Sequence, residues 1–159
     1  MRRLWLACWA ILALALVSPV SLVPAQTPTD QSPDQAALEK KFADDLSESV
    51  FVGFFTDTNK DMKDLKEERY TISKVSKVQG DTWLFQVRIQ YGGKDATLPL
   101  PLNVKWAGDT PVITLTKAPV PGFGTFTARV VVYDDHYAGY WSGADHGGHL
   151  LGRIEKAKK

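Results

Sequence analysis

The stretch Thr82 to Trp106, TWLFQVRIQYGGKDATLPLPLNVKW, decides the fold. In its first half Trp83, Phe85, Val87, Ile89 and Tyr91 alternate with Gln86, Arg88 and Gln90. A period of two puts the apolar set on one face of a strand and the polar set on the other. The second half repeats the pattern, with Leu98, Leu100, Leu102, Val104 and Trp106 set against Thr97, Asn103 and Lys105. Between the halves stands Gly92-Gly93-Lys94-Asp95, too short for a parallel crossover, so the two strands are antiparallel neighbours. Pro99 and Pro101 fall on the polar face of the second strand. Each lacks the amide hydrogen that a central ladder uses, which marks an edge or a bulge.

Working outward, the same period and the same turn signals recur at intervals of about ten residues. They predict strands near 50–56, 68–78, 82–91, 96–106, 110–117, 124–134, 137–143 and 149–155. The links Val78-Gln79-Gly80-Asp81, Ala107-Gly108-Asp109 and Gly143 to Gly148 are short and turn-rich, so consecutive strands pair as a meander. The fold class is therefore all-β, about eight antiparallel strands in an up-and-down barrel. A two-layer sandwich is the alternative, less favoured because it needs long crossings. Ahead of the strands, Ser32-Pro33-Asp34-Gln35 combines a capping serine, proline at the first helical position and early acid and amide residues. This predicts one helix over 34–47. Its apolar stripe, Leu38, Phe42 and Leu46, is too narrow to form a core alone and reads as a lid or plug.

The N-terminus has the pattern of a secretory signal peptide: Arg2 and Arg3, an apolar run from Leu4 to Val17, and Val23-Pro24-Ala25 before a cleavage point after Ala25. An uncleaved anchor is the competing reading, because Leu4 to Val23 approaches the length of a bilayer span. Residues 1–25 are thus read as signal, 26–33 as a flexible leader, and 34–156 as a single domain. Cleavage leaves no stable membrane span, and it removes Cys8, the only cysteine, leaving a net charge of about −1. Small exported eukaryotic domains lean on disulfides, so a bacterial periplasm or cell exterior is the expected location.

Val50-Phe51-Val52-Gly53-Phe54-Phe55, following a short helix, resembles the opening of a lipocalin (calycin) barrel, whose first strand carries Gly-x-Trp. Phe55 stands at the tryptophan position. The resemblance implies that Arg153, on the last strand, packs against that ring. Separately, QYGGKDATLPLPLNVKWAGDTPVITLT together with GGHLLGRIE is similar to small secreted bacterial proteins of unknown function, over residues from about 50 to 156. That likeness implies export and a compact β domain, and carries over no activity and no catalytic residue.

A formal net charge of +1 over 159 residues, with 23% charged, gives no basic excess of the kind that grips nucleic acid. No G-x-S-x-G and no H-E-x-x-H occurs, so an enzyme is not the expected class, and no cofactor is implied. Asp145, His146 and His149 have donor types that suit zinc or copper, and are set against the plain reading of a polar turn. Asp135-His136 belongs at the far end of strand seven, about 20 Å away at 3.3 Å per residue, so the three histidines do not form one site. Asp57, Asn59, Asp61 and Glu68 match a calcium loop at positions one, three, five and twelve, but Met62 stands where glycine is required. A solvated charged loop over 57–68 is the better reading. The aromatic residues Trp83, Phe85, Trp106, Tyr140 and Trp141 are the candidate ligand-binding set, with Trp83 and Trp106 facing a common interior and one of Tyr140 and Trp141 outside.

Two classes of function fit. One is an exported non-enzymatic binding module holding a small apolar or amphipathic ligand in the barrel. The other is a structural or protein-interaction domain of the cell envelope whose large inward residues fill the core. A metal-binding protein or metal-dependent enzyme using the C-terminal histidines is a third. The expected partners are accordingly a small molecule or an envelope protein.

Overall fold

The computed structural model describes residues 34–91 and 93–158. The signal peptide, the leader and the Ser32-Pro33 cap lie outside them. One helix, α1 (Gln35–Leu46), precedes eight strands: β1 (Ser49–Phe55), β2 (Lys66–Gln79), β3 (Thr82–Tyr91), β4 (Lys94–Ala107), β5 (Thr110–Val120), β6 (Gly124–Tyr133), β7 (His136–Ser142) and β8 (Gly147–Lys156). Each strand pairs antiparallel with the next, and β8 returns to β1, so the meander closes into a barrel. The sandwich alternative is excluded.

Helix capping differs from the expectation by two residues. Asp34 is the N-cap, its carboxylate accepting from the Ala36 amide at 3.1 Å. Phe42 and Leu46 turn inward and are buried, as the four-residue spacing predicts. Phe42 sits edge-on to Trp83 at 5.1 Å, Trp106 at 5.9 Å and Phe85 at 6.2 Å, so α1 covers the end of the barrel where β2 passes to β3 and β4 to β5. Polar contacts hold the helix there. Ser47 Oγ accepts from the Val75 amide at 3.0 Å, and Lys77 pairs with Glu39 at 2.5 Å. Lys156 donates to the carbonyls of Asp44 and Asp45 at 3.0 and 2.9 Å, placing a cation at the negative end of the helix.

The prolines of β4 mark an edge. The β3–β4 ladder runs in register from Tyr91↔Lys94 to Thr82↔Asn103, straight through Pro99 and Pro101. The β4–β5 ladder covers only Asn103 to Ala107 against Thr110 to Thr114. Residues 94–102 therefore have a partner strand on one side only, where a missing amide hydrogen costs the sheet nothing. Across the seam β5 turns to β6, with an irregularity between Leu115 and Ala118 where Lys117 has φ 48°.

Candidate functional site

The inward residues do not fill the barrel. A cavity of about 440 Å³ opens away from α1, with Phe51, Ile72, Phe85, Val87, Leu100 and Ile113 in its wall. Asp57, Lys66, Lys94, Phe123 and His146 also line it, all at or beyond the strand ends remote from the helix. That volume lies in the ~300–1,000 Å³ range of small-molecule pockets.

Inside this apolar wall is one polar cluster. Glu68 on β2 is 4% exposed. The Tyr137 hydroxyl donates to its Oε1 at 2.9 Å and the Tyr70 hydroxyl donates to its Oε2 at 2.8 Å. Tyr70 is the next inward residue on the same strand, whereas Tyr137 reaches across from β7. The register explains how. Tyr137 stands opposite Gly152 on β8, Gly152 opposite Gly53 on β1, and Gly53 opposite Glu68. A Cβ on Gly53 would lie 2.5 Å from the Tyr137 hydroxyl oxygen, and one on Gly152 would lie 2.7 Å from the Tyr137 ring. The two glycines thus form a trough along which the phenol lies flat to meet the acid. Phe51 covers it at a centroid distance of 4.9 Å.

Burial pushes the Glu68 carboxyl above its ordinary value of 4.5, with the two phenol hydrogen bonds working in the opposite direction. Burial, and then the adjacent Glu68 charge, push the Tyr137 hydroxyl well above 10.0, so the phenol keeps its proton. Among the described residues no lysine, arginine or histidine pairs with Glu68; Lys66, one inward position nearer the rim, pairs with Asp57 at 3.6 Å. Lys94 lies 5.4 Å from the Phe123 ring centre and donates to the Gly122 carbonyl at 3.1 Å. Trp141 Nε1 is buried and has no hydrogen-bond partner among the described residues.

Of the expected ligand-binding set, Phe85 and Trp141 line the cavity. Trp83 is 1% exposed and lies with Trp106 beneath Phe42 at the covered end, so their common interior is the packed floor of the barrel. Tyr140 is the outward member of its pair, 48% exposed and edge-on to His149 at 5.7 Å. Asp145 contacts His146 at 2.6 Å, while His149 is exposed on the outer side of β8. Among the described residues no three His, Cys, Asp or Glu side chains converge on a point that suits a metal. In the calcium-like stretch Asp57 and Asp61 accept from the amides of Asn59 and Lys63, ordinary turn contacts. Glu68 leaves that loop altogether, because β2 begins at Lys66. The exposed Arg153 side chain pairs with Glu155 at 3.1 Å rather than turning into the barrel, and Lys66 lies 5.6 Å from the Phe55 ring centre.

From the sequence Glu68 reads as the last position of a calcium-like loop and Gly53 as the glycine of a lipocalin-like opening, while Tyr70 draws no reading; the three come together only in the closed barrel. The signal for Glu68 was its parity with Tyr70 and Ile72, which share its face.

No family model matches the chain, and no match is found among curated proteins or solved structures. The fold and site define a class on their own terms, a closed eight-stranded antiparallel barrel with one helix over its base and a mostly apolar cavity within.

Proposed function

We propose that this barrel is an exported, non-enzymatic binding module that holds a small apolar or amphipathic molecule in its interior. The cavity carries the reading. Eight strands enclose just enough room either to pack solid or to admit one small ligand, and here about 440 Å³ is left open. An apolar wall supplies affinity through burial, and a single polar cluster supplies orientation. Export to a bacterial periplasm or the cell exterior is supported by the N-terminal residues, Arg2, Arg3 and the apolar run after them. Isothermal titration of the purified protein with fatty acids, retinoids, quinones and simple alkyl alcohols tests it. Binding of at least one class, abolished by Ala128→Phe in the cavity wall, is the expected result. No binding to any of them refutes it.

An interaction domain of the envelope is the second reading, favoured by one observation. Phe54, Leu151, Ala138 and Val131 are exposed and stand in one register row across β1, β8, β7 and β6. Replacing Phe54 and Leu151 by serine leaves small-molecule binding intact if the cavity is the functional site.

A further inference from the structure

The polar cluster has spent its donors. Each phenol has one hydrogen, and both are given to Glu68, one to each oxygen. What the carboxylate itself still offers is acceptor capacity, the second lone pair of each oxygen. The nearest rim cations are engaged elsewhere, Lys66 with Asp57 and Lys94 with the Gly122 carbonyl. A buried carboxylate with two neutral donors and, among the described residues, no cation remains short of compensation, since burial of a charge is costly until it is paired.

We infer that the cavity is built for a small apolar molecule bearing one protonated amine, its ammonium donating to Glu68 while its hydrocarbon part lies against Val87, Leu100 and Ile113. This rests on the cavity being a ligand site. An ammonium brings three donors to a carboxylate that offers only acceptors, and its charge is opposite to that of the acid. A hydroxyl brings one donor without the charge. A carboxylate brings no donor and repels Glu68.

Calorimetric titration of the purified protein with 1-octylamine, 1-octanol and octanoate at pH 7 and equal ionic strength tests the ranking at constant chain length. Octylamine is expected to bind about tenfold or more tighter than octanol, because hydrogen bonds to charged groups are roughly twice as strong as neutral ones. Octanoate is expected to be weakest. In Glu68→Gln the advantage of the amine over the alcohol should vanish, while octanol stays within about threefold of its original affinity, the change expected when a neutral donor keeps a neutral acceptor. Octanoate binding as tightly as octylamine overturns the inference, as does an amine advantage that survives Glu68→Gln. Should that variant fail to fold, the ranking on the unaltered protein decides alone. The outcomes separate the two levels: binding of octanol, a retinoid or a quinone without amine preference sinks this inference only, whereas no binding by the three octyl compounds or by any retinoid or quinone removes the cavity reading beneath it.

Discussion

Tyr137→Phe removes one oxygen and leaves the rest of the cluster where it was. The ring still lies in the trough formed by Gly53 and Gly152 and still meets Phe51 at 4.9 Å, so little packing is lost. The loss is the 2.9 Å hydrogen bond to Glu68 Oε1, after which a buried carboxylate keeps Tyr70 as its one side-chain donor among the described residues. Hydrogen bonds to charged groups contribute about 1.5–3 kcal/mol, and at 4% exposure little water is available to replace the lost donor, so the full range applies. For a domain of this size that is a fall in Tm of about 5–15 °C. Urea unfolding followed by circular dichroism measures it, with an unchanged denaturant slope showing that the unfolded state is not altered. The double variant with Glu68→Gln supplies the coupling. In that background Tyr137→Phe should cost clearly less, because the acceptor is no longer charged. A Tyr137→Phe protein within about 0.3 kcal/mol of the original, or an equal cost in both backgrounds, refutes the proposed tie between the two residues.

Further expectations follow from the same geometry. Gly53→Ala places a methyl carbon 2.1 Å from the Leu151 carbonyl oxygen and 2.5 Å from the Tyr137 hydroxyl, and should cost more than about 2 kcal/mol by chemical denaturation. Gly80→Ala, at φ +51° in open space, should cost only the ~1–2 kcal/mol of the left-handed backbone and serves as its control. Phe42→Ala uncovers Trp83 and Trp106, and should cost roughly 3–5 kcal/mol with a red shift of tryptophan emission. The pH dependence has a definite sign. Glu68 has a folded-state pKa above its unfolded 4.5, so the native state binds its proton more tightly; its contribution is most favourable below 4.5 and is lost as pH rises through the folded value. Exposed Asp95, held down by its hydrogen bond with Arg88, and Asp145, held down by His146, act in the opposite sense, losing their stabilisation as pH falls. Subtracting the Glu68→Gln profile from that of the unaltered protein, both by thermal melts from pH 4 to 8, isolates the rising-pH loss. A flat difference contradicts the placement of the acid.

The strands were legible because their faces are. From Trp83 to Trp106 the alternation is nearly strict, and the turn residues between strands permit only antiparallel neighbours. A boundary slipped where charge hid a strand: the charged loop reads as running to Glu68, with a strand from about 68, yet Lys66 and Glu67 already belong to β2. The run Glu68, Tyr70, Ile72 does share a face. The register shift between Ile72 and Lys74 then moves the next buried residue to Val75, which breaks the period that would have marked Glu68 as inward. Tyr137 and Glu68 are 69 positions apart and meet only because two glycines on intervening strands fall in the same row. Local pattern holds no trace of such a row; it is set by the closure of the sheet. Trp83 and Trp106 illustrate a second limit. Alternation assigns a side chain to the interior but not to a level within it, and it is the helix that makes their level the packed floor.

The occupancy of the interior is most directly tested by intermolecular nuclear Overhauser effects between unlabelled 1-octylamine and the methyl-labelled protein. The interior methyls of Val87, Leu100 and Ile113 line the cavity, whereas those of Leu151 and Val131 belong to the outer apolar row. Cross-peaks from the alkyl chain to the first group and none to the second is the expected result. Cross-peaks confined to Leu151 and Val131 contradict it and place the function on the outside of the barrel.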